Sequence, residues 1–125
     1  MASLKLTEKV LKIGIVADEQ LAWLYDHAKV FVFPSDYEGF GLPLAEALCR
    51  GTPVIARNAS AMAEIVAEAG VLVETRSPKN LCEALKESQR NRSELQSIAR
   101  ARSLEFTRER MIKKIESVYE KALVV

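Results

Sequence analysis

The sequence is poor in the residues that build metal centres and disulfide frameworks: 125 positions hold one histidine and two cysteines. Cys49 and Cys82 are far apart and belong to no C-x-x-C pair or Cys/His cluster. That spacing argues for reduced thiols in a cytosolic compartment, used as small structural groups, and against zinc. No Asp-x-Asp pair offers a metal site either. Long apolar runs are missing as well. Nothing approaches the ~18 residues of a membrane span, and Met1-Ala2-Ser3-Leu4-Lys5 has no apolar stretch behind it, so neither a transmembrane helix nor a signal peptide is expected. Internal repeats, low-complexity tracts and linkers are absent, which leaves one domain over residues 1–125.

What is present is enough for a core. The chain is 49% hydrophobic and 28% charged, and a globule of this size buries about two-thirds of the surface its unfolded form exposes. The net charge of +1 hides an asymmetry, because residues 1–75 sum to −4 and residues 76–125 to +5. The basic half suits phosphates or an anionic membrane surface. Arg and Lys alternating with Glu on helices also make ordinary solvated faces. No nucleic-acid partner is expected.

The apolar pattern alternates between strands and helices. Residues 10–16 read as a strand, and residues 20–28 as a helix with Leu21, Leu24, Tyr25 and Ala28 on one face. Residues 30–33 form a continuous β-rich run stopped by Pro34-Ser35, the pattern of a parallel strand buried on both faces. A Gly-rich turn then opens a helix over 42–50, with Pro43 in its first turn and Gly51 as its stop. Residues 53–56 make a strand, 61–69 a short helix and 71–73 a further strand. Ser77-Pro78 starts a helix over 79–90, residues 93–106 continue helically, and Thr107 caps a last helix whose Met111, Ile112, Ile115, Val118, Tyr119 and Ala122 form an apolar stripe. The alternation predicts an α/β domain: a Rossmann-like parallel sheet of about four strands flanked by helices.

Chemistry belongs at the segment Glu38-Gly39-Phe40-Gly41-Leu42-Pro43-Leu44-Ala45-Glu46. It follows a parallel strand at its C-terminal end, where open α/β sheets bind ligands. Gly39 and Gly41 let backbone approach a ligand, and the N–H groups and positive dipole end of the next helix suit a phosphate oxygen. Glu38 precedes the turn and Glu46 lies one turn inside the helix. Carboxylates repel phosphate, so their partners would be hydroxyls, of a sugar for one and of a ribose for the other. The plainer reading is a tight turn with both glutamates solvated. His27 sits before a strand, at the wrong edge of the sheet, and is expected at the surface or as a helix cap. Trp23 and Tyr25 are expected to pack.

The segment resembles the E-x7-E signature of retaining, nucleotide-sugar-dependent glycosyltransferases built from two Rossmann domains. The likeness continues through residues 10–16, Asp18-Glu19-Gln20-Leu21, Gly51-Thr52-Pro53-Val54-Ile55-Ala56, Glu64-Ile65 and Ala69-Gly70-Val71-Leu72-Val73 to the closing helix. It implies that Glu38 faces the transferred sugar and that Glu46 holds the ribose. Gly39, Phe40, Gly41 and Leu42 would surround the sugar and diphosphate, and Leu44 would stand at the nucleoside. No metal and no cofactor beyond the donor are implied. Departures are Ala63 in place of proline before Glu64, and Lys29 in place of an acidic residue. By this resemblance the chain is the C-terminal, donor-side part of an enzyme. The acceptor domain, which would bind a sugar or lipid-linked acceptor, and the Arg and Lys that neutralise the diphosphate would lie outside it. Residues 10–16 and 30–33 would match the third and fourth strands of the order 3-2-1-4-5-6, so a sheet edge and the last helix would lack their usual partners and self-association is expected. Two readings from other classes remain: a phospho-signalling receiver, weakened by the lack of a lysine near Glu74-Thr75-Arg76, and a non-catalytic interaction domain.

Overall fold

The computed structural model describes residue 6, residues 8–75 and residues 77–123. The reading of the Met1–Lys5 start and the Arg76 of the receiver comparison lie outside the described residues. Helix α1 spans Asp18–His27, followed by strand β1 (Phe31–Phe33), helix α2 (Leu42–Cys49), strand β2 (Val54–Arg57), helix α3 (Ser60–Val66) and strand β3 (Gly70–Val73). Helices α4 (Pro78–Arg90) and α5 (Arg92–Ser103), a 3-10 turn at Leu104–Phe106 and helix α6 (Arg108–Leu123) complete the chain.

The sheet is parallel throughout, in the order β1-β2-β3, with Phe31 opposite Val54 and Val54 opposite Gly70. Alternation of side chains along each strand splits the core in two. Phe31, Phe33, Val54, Ala56 and Leu72 meet Tyr25 of α1, Leu44 and Leu48 of α2, Met62 and Val66 of α3 and Ala99 of α5. On the opposite face Ile55, Val71 and Val73 meet Ala84 of α4 and Leu95 of α5. Only β2 is buried on both faces. At Gly70 β3 has no room for a side chain beside β2, since a Cβ there would lie 2.4 Å from the Val54 carbonyl oxygen.

Local signals formed as their chemistry requires. The Ser77 hydroxyl oxygen accepts from the Asn80 amide at 3.1 Å, with Pro78 opening α4. Thr107 Oγ1 accepts from the Arg110 amide at 3.3 Å at the start of α6. Helix α3 stops at Val66 rather than at residue 69 because Ala67 turns to φ +44°. The helix expected over 93–106 tightens into the 3-10 turn after Ser103.

Three expectations fail for one physical reason, the lack of a partner. Residues 10–16 form no strand; Leu11 and Ile15 are exposed, Gly14 breaks the run at φ +67°, and among the described residues the sheet has three strands rather than four. β1 consequently ends the sheet, and its Val32 is exposed because α4 packs on β2 and β3. Trp23, expected to pack, is exposed and stacks on His27 with ring centroids 4.1 Å apart. Helix α6, whose apolar stripe is expected to lack its usual partner, buries none of its residues.

Candidate functional site

Loop 34–41 joins β1 to α2 at the C-terminal edge of the sheet. Gly41 is the N-cap of α2 in the left-handed region, at φ +93° and ψ +50°. A Cβ here would be strained by the backbone and would sit 3.4 Å from Leu44 Cδ1. Its carbonyl accepts from the Leu44 and Ala45 amides at 2.9 and 3.3 Å, and Pro43 has no N–H. The Leu44 and Ala45 amides are therefore used within the helix, and at its start the Gly41 and Leu42 amides donate to no backbone carbonyl among the described residues. Gly39 has open space around its Cα and Phe40 is half-exposed, edge-on to Phe106. Leu42 is exposed, whereas Leu44 is fully buried and contacts the core.

The two glutamates occupy different surroundings. Glu38 is half-buried, and its backbone N–H donates to Ser60 Oγ at 3.2 Å. Glu46, on the second turn of α2, accepts from Tyr25 Oη at 3.3 Å. Burial first, and then the neighbouring carboxylate, push the Tyr25 phenol up to about 12. The phenol therefore stays protonated and remains a donor to Glu46. Tyr25 itself is wedged edge-on to Phe31, and its carbonyl accepts from the buried Thr52 hydroxyl at 2.7 Å.

Glu46, Phe40 and Leu42 line a cavity of about 970 Å³ bounded by α1, α2, the 104–107 turn and α6. Glu38, Gly39, Gly41 and Leu44 do not line it. Cys49 does, and burial pushes its thiol up, which disfavours the thiolate. Arg102 crosses the cavity wall, donating to the Glu64 carbonyl at 2.6 Å with its guanidinium over the Phe106 ring. Both cysteines are free, and both are exposed rather than packed as the structural groups expected of them. Among the described residues no group of His, Cys, Asp and Glu could hold a metal, and no helix is long and apolar enough to cross a membrane. His27 Nδ1 lies 2.8 Å from the Trp23 carbonyl, which makes it the protonated nitrogen, and the ring stays outside the cavity.

Sequence reasoning missed the side chains that tie this edge together. Arg57 Nη1 pairs with Asp36 Oδ1 at 2.9 Å, and Asn58 Nδ2 donates to Glu74 Oε1 at 2.6 Å. A charged residue ending the otherwise apolar run Val54-Ile55-Ala56 was the available signal.

The chain matches the family described as glycosyl transferases group 1 over residues 1–117. It is 34% identical over 130 aligned positions to MMP alpha-(1->4)-mannosyltransferase of Mycolicibacterium hassiacum, covering 98% of this chain and 32% of that protein. To O-antigen chain mannosyltransferase B of Escherichia coli it is 47% identical over 62 residues, 50% of this chain and 16% of the relative. To O-antigen chain mannosyltransferase RfbU of Salmonella typhimurium it is 33% identical over 86 residues, 69% of this chain and 24% of the relative. The chain thus spans a third or less of these relatives. A parallel α/β sheet with a glycine-capped helix at its C-terminal edge, matched over nearly its whole length, belongs to the group 1 glycosyltransferases.

Proposed function

We propose that this chain is the donor-side part of a glycosyltransferase that moves a sugar from a UDP- or GDP-linked donor to a sugar or lipid-linked acceptor with retention of configuration. The observation that carries the reading is the left-handed Gly41 opening α2 at the C-terminal edge of a parallel sheet, with Glu38 before it and Glu46 after it. In this reading Glu38 meets hydroxyls of the transferred sugar, and Glu46, oriented by Tyr25, accepts from the ribose. The backbone of Gly39, Phe40, Gly41 and Leu42 follows the sugar and diphosphate, and Leu44 supports the nucleoside end from the core. Relatives named as mannosyltransferases favour mannose. Transfer requires neither metal nor cofactor. Two free thiols favour a cytosolic setting, and the basic second half favours contact with an anionic membrane face.

The isolated chain is expected to bind donor without turning it over, because backbone dipoles alone stabilise a departing diphosphate too weakly. Calorimetry with GDP, UDP, GDP-mannose and UDP-glucose tests the first half, and product analysis tests the second. Binding of none of these would overturn the reading, and robust transfer by residues 1–125 would overturn the need for further cations. The receiver alternative would instead take up phosphate from a small phosphodonor with magnesium, and a purely structural domain would answer to neither assay.

A further inference from the structure

The stretch from the last residue of β2 to the first of α3 carries two features that do not stabilise the fold. Arg57 Nε is buried without a hydrogen-bond partner among the described residues, and a buried donor left unpaired costs about 1–3 kcal/mol. Three residues on, Ser60 sits at φ +48°, a region non-glycine residues rarely adopt. Such costs persist where the surrounding structure needs the geometry for something else.

Both features serve the same neighbour. Arg57, only 24% exposed, reaches across the sheet edge from the end of the central strand to Asp36. Ser60 uses its hydroxyl to accept the N–H of Glu38. The two ties bracket Tyr37, so residues 36–38 are held from both sides by one short stretch of the adjacent connection. A third link, the Asn58 amide donating to the Val73 carbonyl at 2.9 Å, anchors that stretch to β3.

We infer that Arg57 and Ser60 are positioning residues for Glu38: from the C-terminal end of β2 they set where its carboxylate stands relative to the sugar of the donor. The inference rests on the donor reading above. Neither residue touches the donor; each acts through the backbone of the loop ahead of α2. Loosening residues 36–38, where the two ties end, would leave Gly41 and Leu42 at the start of α2 and Glu46 within it in place for the diphosphate and ribose. It would blur recognition of the sugar alone.

The test uses the whole chain with Arg57→Gln, Arg57→Lys, Asp36→Asn and Ser60→Ala. Amide hydrogen exchange at residues 36–38 should quicken about threefold in Arg57→Gln and Asp36→Asn, as expected for losing a partly exposed ion pair. In Ser60→Ala the Glu38 amide should quicken most, and the rest of the sheet should not change. The affinity ratio of GDP-mannose to GDP, or of UDP-glucose to UDP, should fall about threefold with nucleoside diphosphate binding unchanged. Arg57→Lys should restore most of both. Unchanged exchange at 36–38, or equal losses for nucleotide sugar and nucleoside diphosphate, would overturn the inference in favour of a merely structural role. If the unmodified chain binds no nucleotide, the donor reading falls, and the exchange data alone decide whether these residues position Glu38. Should Arg57→Gln fail to fold, Asp36→Asn breaks the same pair from the exposed side.

Discussion

Val54-Ile55-Ala56 and Ile13-Gly14-Ile15 are short apolar runs of similar composition, and the fold treats them oppositely. Ile55 is 1% exposed in the middle strand, whereas Ile15 is 103% exposed in a segment that joins no sheet. The same contrast separates α2, where Leu44, Ala47 and Leu48 are completely covered, from α6, where Met111, Ile115 and Val118 stay exposed. Apolar side chains gain from burial only when a facing surface removes water from them. β2 has ladder partners on both edges and helices on both faces, and among the described residues the arms at 8–17 and 108–123 have neither. Sequence hydrophobicity thus marks where a partner is required, and the fold shows where one is present.

The sharpest test of this division is a matched pair of truncations. Leu48→Ala should cost about 2–5 kcal/mol in urea unfolding, the usual loss for a filled core site, while Ile15→Ala should stay within about 0.5 kcal/mol. Comparable losses at both sites would mean that the 10–16 segment is packed in solution. Next in size, Glu46→Gln should weaken nucleotide binding by about 1–3 kcal/mol with the unfolding midpoint held, the range for a hydrogen bond to a charged group. Calorimetry giving equal affinities would return Glu46 to the solvated surface. Glu38→Ala should lower the affinity for nucleotide sugars more than that for nucleoside diphosphates.

A smaller effect probes the seam between α1 and α2. With its phenol raised from 10.0 to about 12, Tyr25 keeps its proton in the folded chain over a range where the unfolded chain loses it. Stability is therefore whole below about pH 10 and drains away as pH climbs towards 12, since the folded state binds more protons there. Denaturation at several pH values should show a shallower decline in Tyr25→Phe than in the parent. Parallel curves would remove the phenol from the balance. The arms themselves should be least sensitive in stability and most sensitive in assembly. Sedimentation at micromolar concentration is expected to give a dimer or larger species, and Ile115→Glu should shift it towards monomer with stability changed by no more than about 0.5 kcal/mol. A single species near 13.9 kDa for the unmodified chain would show that the exposed stripe needs no cover.

Most elements between residues 18 and 123 were legible because their signals are local. Pro43 and Gly51 bracket α2, Ser77-Pro78 opens α4, and Thr107 caps α6 through contacts a few residues away. The strand expected at 10–16 was not legible as a failure, since pairing depends on a neighbour the run itself does not encode. At the site, the turn and both glutamates could be located by spacing. The Tyr25–Glu46 bond and the Arg57–Asp36 pair each span 21 residues of sequence, so no local pattern announces them.

The sequence by itself determined the helices, the parallel character of the sheet and the position of a glycine-capped helix at its C-terminal edge. Backbone sterics, capping and side-chain periodicity act within a few residues, and that is why they can be read along the chain. The tertiary structure alone decided that Glu38 is tied to the β2–α3 connection while Glu46 faces a separate cavity beneath α6. It also decided that one apolar run became the centre of the sheet and another stayed in water. Those outcomes depend on which surfaces meet, and meeting is a property of the packed chain as a whole.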